Sequence, residues 1–477
     1  MTSTPDSRMS PLPDSATAIT QRVKSGAVSA VDTVNLYLDR IDELNPKLNC
    51  YTLVTKDRAM AKAKDIDRRI AAGKDPGPLA GVPFAVKNLY DIQGAVTLAG
   101  SKINADNPAA EKDALLIQRM ERAGAILLGG LAMGEYAYDF TGENQHYGAC
   151  RNPWDLERMS GGSSSGSGSA TAAGLAPISL GSDTNGSIRV PASLCGLFGM
   201  KPTFGRLPRT GTYPFCDSLD HLGPLARSAQ DLALSFGVLQ DSTVDVTEAH
   251  YDPSFADKPL VELAISADIT ADLRVAQAGG FFDCQDFPDA QAAVQQVADA
   301  LQAPQTLELE GAKEGRAAAY LITNAESSTL HLERLRARAE DFDDDTRERF
   351  LAGALIPANW YLKAQEARRW WQNKMLAVFA DVDLIIAPAT PCTAPLLGTR
   401  MLKIGDKEQL LRPNLGLFSQ PFSSIGLPVV TVPIWLEDRD LPIGVQLVAP
   451  PWREDVCLAA AAKLEALGVA QCRVPKL

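Results

Sequence analysis

Over the first seventy residues the apolar positions keep helical spacing. In "ATAITQRVKSGAVSAVDTVNLYLDRIDEL", residues 16–44, Val31, Val34, Leu36, Leu38 and Ile41 are among the recurrences, and Gly26 interrupts them. The pattern predicts two helices around that glycine. "TKDRAMAKAKDIDRRIAAG" repeats the spacing and stops at a glycine, a helix end signal. The texture then changes. "LAGVPFAVKNLYDI" and "AGAILLGGLAMGEYA" are short apolar runs bounded by glycine and proline, as buried strands are. "KDALLIQRMERAG", a helix pattern, lies just before the second run. "GLAPISLGSD", "VDLIIAPATP", "LPVVTVPIW" and "LPIGVQLVAP" add further strands. Strands interleaved with helices predict an α/β fold, a sheet covered by helices.

Residues 1–13 carry three prolines among polar residues and predict a frayed tail, leaving 14–477 as one domain. Between about 230 and 350 the chain reads as acidic and helical, and "EDFDDDTRER" within it reads as a solvated face.

The chain has 477 residues, of which 45% are hydrophobic, enough for a sizeable core. Its net charge of -12 argues against nucleic acid as the main ligand, because a duplex binder needs a basic footprint. No charged-then-apolar leader opens the chain, and the apolar runs are too short to span a bilayer, so a cytoplasmic protein is expected. Eight scattered cysteines without a CxxC pair read as reduced, mostly buried thiols, with no metal site and no cofactor.

The stretch "GGSSSGSGSA", residues 161–170, has a linker's composition but runs straight into small apolar residues, helical at 169–176 and extended at 177–180. It reads as a bound loop. As a phosphate cradle it is weak, because Thr171 stands where the third glycine of GxGxxG belongs. A second glycine-rich turn, "GSDTNGSIRVP", leads through Thr184, Asn185 and Gly186 to Ser187. Consecutive N–H groups in such a turn can converge on an anion, and a serine at its end would have an oxyanion hole beside it. None of the four histidines, His146, His221, His250 and His331, sits in a motif pairing it with serine. Lys87 ends an apolar run where desolvation would depress its pKa, which suits a general base; pairing with Asp91 is the alternative.

Together "GVPFAVKN", "GGSSSGS" and "GSDTNGSIRVP", in that order and with Ser163 and Ser187 24 positions apart, resemble the amidase signature family. "RNPWD", "CGLFGMKPTFGRLPRTG" and "LDHLGPLARSAQDLAL" extend the resemblance, which covers residues 15–470. It implies a large mixed, twisted sheet between layers of helices. It also implies a catalytic triad of Lys87, Ser163 and Ser187, with a cis peptide before Ser163 and an oxyanion hole from the N–H groups of Thr184, Asn185, Gly186 and Ser187. The chain departs from the family pattern at Gly134, where an acid is common, and at Ser165, where glycine is. Within the family, "YPFCDSLDHLGPLA", "HLERLRARAEDF" and "IPANWYLKAQEARR" are similar to members that release ammonia from biuret-type, urea-derived amides. Those members imply a small helical partner resembling the C subunit of tRNA-dependent amidotransferases, and a homodimer of such pairs. The glutaminase-type A subunit of such an amidotransferase and an allophanate hydrolase are the competing activities. A carboxylated substrate would need an arginine fork. Tyr361, Gln365 and Arg368, on one face of the helical "NWYLKAQEARRWW", are candidates to point into the pocket, with Arg189 as a rival.

Overall fold

The computed structural model describes residues 15–240 and 273–477. The tail at 1–13 and residues 241–272 of the acidic segment lie outside the described residues. The apolar runs become strands: β1 Tyr51–Val54, β2 Pro83–Lys87, β3 Ile126–Leu131, β4 Ile178–Asp183, β5 Phe198–Lys201 and β6 His221–Ala226. β7 Val275–Gly279, β8 Gln305–Glu308, β9 Leu384–Pro388, β10 Val429–Ile434 and β11 Ile443–Val448 follow. They form one eleven-stranded sheet in the order β1-β3-β2-β4-β6-β5-β10-β11-β9-β7-β8. β2 runs parallel to both β3 and β4, and β7 runs parallel to both β8 and β9. The remaining pairings are antiparallel, so the sheet is mixed.

Every residue of β2, β3, β4, β6, β9, β10 and β11 is buried. Successive strand side chains point to opposite faces, so burial of all of them means that both faces are covered. The cover includes Ser165–Ala172 against β2, β3 and β4, Arg189–Cys195 against β5, β10 and β11, and Glu454–Ala466 against β10 and β11.

Two helices do flank Gly26, Ala16–Lys24 and Ala30–Leu48. On the second, Val34, Tyr37, Leu38 and Ile41 face the core, while Leu36 is 41% exposed, because Tyr37 takes the inward register. The segment 230–350 is not wholly helical, since β7 and β8 extend one end of the sheet. Nor is "EDFDDDTRER" a solvated face throughout. Asp343 is buried and caps helix Asp344–Ala354 by accepting from Asp345 N, and its other oxygen accepts from Gln145 N. That helix and Ala358–Val378 both pack on the long helix Ala312–Arg338.

The register of the two parallel strands prepares the site. Phe84, Ala85 and Val86 pair with Ile178, Ser179 and Leu180, so the last residue of β2, Lys87, and Ser182 near the end of β4 arrive at the same carboxyl edge. Sites in sheets of this kind form at such edges.

Candidate active site

Lys87 is fully buried. Its Nζ lies 2.6 Å from Ser163 Oγ and 2.8 Å from Ser182 Oγ. Burial pushes the Lys87 pKa down to about 7, against the pull of the Asp183, Asp220 and Asp139 carboxylates. Desolvation thus wins, and near neutral pH a large share of the amine is uncharged and basic. Asp91, the alternative partner, instead accepts from Thr97 Oγ1.

Ser163 follows a cis peptide bond with Gly162 and precedes helix Ser165–Ala172. That helix starts four residues before the helical reading of 169–176, since its small residues let it pass close to neighbouring backbone. A Cβ on Gly166 would meet Cys50 O at 2.4 Å and Ala132 N at 2.5 Å, so only glycine fits. Ser165 donates to Ala132 O at 3.1 Å and fixes the same approach. Beside Ser163, a Cβ on Gly134 would stand 2.4 Å from Asp139 Cβ. The Asp139 side chain takes up the space that an acid at 134 would need.

The second turn joins β4 to helix Arg189–Cys195. Gly186 takes φ +137°, and a Cβ there would lie 2.0 Å from Ser419 Oγ. Ser419 in turn donates to Asn185 O at 2.7 Å. The two serine loops meet where Ser164 N donates to Ser187 O at 3.3 Å. Among the described residues the N–H groups of Thr184, Asn185, Gly186 and Ser187 have no acceptor, and so remain open for an anion.

Arg189 is not a ligand group. It is fully buried, with Nε and Nη2 each 2.9 Å from an Asp183 oxygen and Nη1 donating to Gln446 Oε1 at 2.6 Å and Ser419 O at 3.0 Å. Burial would raise the Asp183 carboxyl, but the charge and hydrogen bonds of Arg189 outweigh it and hold the group well below the usual range. Asp183 also accepts from Ile188 N at 3.1 Å, so the pair braces the turn that carries Ser187.

A cavity of about 380 Å³ opens over this turn, and Ser187, Thr184 and Asn185 line it. Tyr138, Phe140, Thr323 and Gln420 form its walls, with Arg349, Arg400 and Arg412 as its cations. Tyr361, Gln365 and Arg368 do share one face, as a chain in which Gln365 Nε2 donates to Tyr361 Oη at 3.0 Å and Tyr361 donates to Glu326 Oε1 at 2.9 Å. That face does not point into the cavity. Arg368 donates to Ser218 O at 3.1 Å, and Tyr361 lines a separate, wider groove of about 940 Å³. Helix Ala358–Val378 is anchored by buried Ala364, Trp371 and Met375, and this register turns Arg368 toward the 216–218 loop. Ser182, Thr323 and the cavity arginines were not singled out from sequence. Ser182 alone carried a signal, because it lies within the motif "GSDTNGSIRVP" that holds Ser187.

A basic amine against a serine hydroxyl, next to a turn of open N–H groups, is the equipment of a serine hydrolase that cleaves amides. The amidase family profile matches residues 32–458. The chain belongs to this family, the amidase signature enzymes, and is a hydrolase of amide carbon–nitrogen bonds. It is 48% identical over 95% of its length, and 99% of the relative's, to the AtzE subunit of 1-carboxybiuret hydrolase from Pseudomonas sp. (strain ADP). The A subunit of glutamyl-tRNA(Gln) amidotransferase from Pseudomonas aeruginosa (strain PAO1) is 35% identical over 94% of this chain and 96% of its own. Among solved structures, a vestigial protein complex that bears on the origins of an s-triazine catabolic enzyme superposes with TM-score 0.92 at 47% identity, covering 96% of this chain and all of the other. A 6-aminohexanoate cyclic dimer hydrolase with bound substrate gives TM-score 0.82 at 27% identity, covering 97% and 98%.

Proposed function

We propose that the enzyme hydrolyses a small urea-derived amide, 1-carboxybiuret or biuret, and releases ammonia. The observation that carries this reading is the 48% identity to a chain of 1-carboxybiuret hydrolase over nearly the whole of both proteins, against 35% for the A subunit of an amidotransferase. The amidotransferase activity is therefore the weaker reading.

In the mechanism, uncharged Lys87 takes the Ser163 hydroxyl proton while Ser163 takes that of Ser187. Ser187 Oγ attacks the amide carbon, and the open N–H groups of residues 184–187 receive the developing oxyanion. As the C–N bond breaks, the proton returns from Lys87 through Ser163 to the departing nitrogen, which leaves as ammonia. Water then attacks the acyl-serine along the same relay, giving the acid and restoring Ser187. The 2.6 Å contact between Lys87 and Ser163 supports the first transfer.

A small helical partner fits this reading, because the s-triazine relative was solved as a protein complex. Leu362, Trp370 and Leu376 also stand exposed along one side of helix Ala358–Val378. A homodimer of such pairs would be the full assembly. A cytoplasmic setting agrees with eight free thiols and with the lack, among the described residues, of any helix long and apolar enough to cross a membrane. Ammonia release from carboxybiuret, biuret, allophanate, malonamate and glutamine, measured side by side, tests the proposal. Glutamine as the best substrate would overturn it.

A further inference from the structure

We propose that Arg349 is the carboxylate-binding group of the Ser187 cavity and selects amides that carry a remote carboxylate. The inference rests on the reading of function above and adds the residue that sets specificity.

Charge accounting in the cavity leads to this residue. Arg412 lies 3.2 Å from Asp139 and 3.0 Å from Asp345, and Arg400 lies 2.8 Å from Asp345. Asp139 also accepts from Thr141 N at 2.9 Å and Gly142 N at 2.6 Å. Those two arginines and two carboxylates therefore satisfy one another. Glu143 accepts from Gly398 N at 2.8 Å, and Glu348 is exposed to solvent.

Arg349 differs. Its guanidinium sits 3.9 Å from the centroid of the Tyr138 ring. Nε donates to Asp345 O at 2.8 Å and Nη2 to Tyr138 O at 2.6 Å, both neutral carbonyls. Among the described residues Nη1 has no acceptor, and no carboxylate comes within ion-pair distance. The ring and the two carbonyls fix the plane of the fork, so a carboxylate from solution meets a donor already oriented. A partly desolvated cation with no carboxylate in direct contact is an unfavourable arrangement that such an anion relieves.

A second unpaired group in the same cavity fits the rest of such a ligand. Asn185 Nδ2 donates to Thr323 Oγ1 at 2.8 Å, while its buried Oδ1 has no partner among the described residues. Whichever way round this amide sits, one of its polar atoms is left facing no protein group. As oriented, Oδ1 accepts a ureido N–H. A cation for a carboxylate and an acceptor for N–H together describe an anionic urea derivative rather than a neutral alkyl amide.

The experiment compares malonamate with malonamide, which share a scissile amide and differ in the remote charge. The wild-type ratio of kcat/KM for the anion over the neutral amide is expected to exceed one and to fall about 10- to 100-fold in Arg349→Ala, the scale of one charged hydrogen bond. Arg349→Gln and Arg349→Lys can keep the bond to Tyr138 O and carry the test if the alanine variant does not fold. Lys should recover part of the ratio and Gln none. Labelling of Ser187 by a fluorophosphonate reports an intact site in each variant. A wild-type enzyme without preference for the anion would overturn the carboxylate site and leave the neutral amide, biuret, as the substrate. A wild-type preference that survives in Arg349→Gln would leave the anionic substrate standing and overturn the role of Arg349.

Discussion

Lys87 Nζ and Ser163 Oγ stand 2.6 Å apart with both side chains fully buried. Among the described residues no carboxylate forms a salt bridge with this amine, so desolvation dominates and brings its pKa to about 7. The protonated amine cannot accept from Ser163. Activity should therefore rise with pH through about 7 and level off above it, as the fraction of free amine grows. A profile of kcat/KM against pH checks this, and full activity maintained at pH 5 would remove Lys87 as the base.

The serines should separate by role. Ser187→Ala should abolish turnover and fluorophosphonate labelling. Ser163→Ala should cost on the order of 10²–10⁴-fold, the usual range for a positioned acid–base group. Ser182 touches the amine from the other side, at 2.8 Å. As an acceptor it favours the ammonium form, so Ser182→Ala should move the acid limb of the pH profile to lower pH. An unmoved limb would mean that Ser182 does not set the state of Lys87.

The contrast between these serines and the cavity arginines shows what a sequence carries. Lys87, Ser163 and Ser187 lie in short local motifs whose residue types already imply the chemistry, and the strands around them are apolar runs that only a doubly covered sheet can bury. Arg349, Arg412 and Thr323 come from three separate segments and meet only through helix packing. Arg349 even sits in a stretch whose charges read as solvated. On helix Ala358–Val378 the shared face of Tyr361, Gln365 and Arg368 was legible from helical spacing. Its direction was not, because that depends on how buried Trp371 and Met375 seat the helix. Leu36 and Tyr37 make the same point on a smaller scale.

Arg189 and Arg368 should fail in different ways. Arg189→Met leaves Asp183 buried without its counter-charge, which should cost about 3–5 kcal/mol of stability. Urea unfolding would register it, and a folded, equally stable variant would contradict the bracing role. Arg368→Ala removes a bond to the Ser218 carbonyl outside the cavity. Its KM for malonamate should stay within about twofold of wild type, because this side chain does not line the cavity. A selective rise would bring Arg368 back as a carboxylate ligand.

His331 offers a test of acid stability away from the chemistry. Its ring is fully buried, 4.1 Å from the Tyr136 ring centroid and 4.6 Å from that of Phe350, and neither ring nitrogen has a partner among the described residues. Burial, aided by the Arg334 charge, pushes its pKa down to about 3. An unfolded histidine titrates near 6.5. Between these values the unfolded chain binds a proton that the folded chain does not, so stability falls as pH drops from about 6.5 toward 3. His331→Phe removes this linkage. Any cost of fitting the larger ring is independent of pH, so it shifts the offset between the two proteins but not the slope. Urea unfolding at pH 7, 6 and 5 should therefore show the variant gaining on wild type as pH falls, by at most about 1.4 kcal/mol per unit. A constant difference across that range would mean that His331 stays as easily protonated inside the protein as in water.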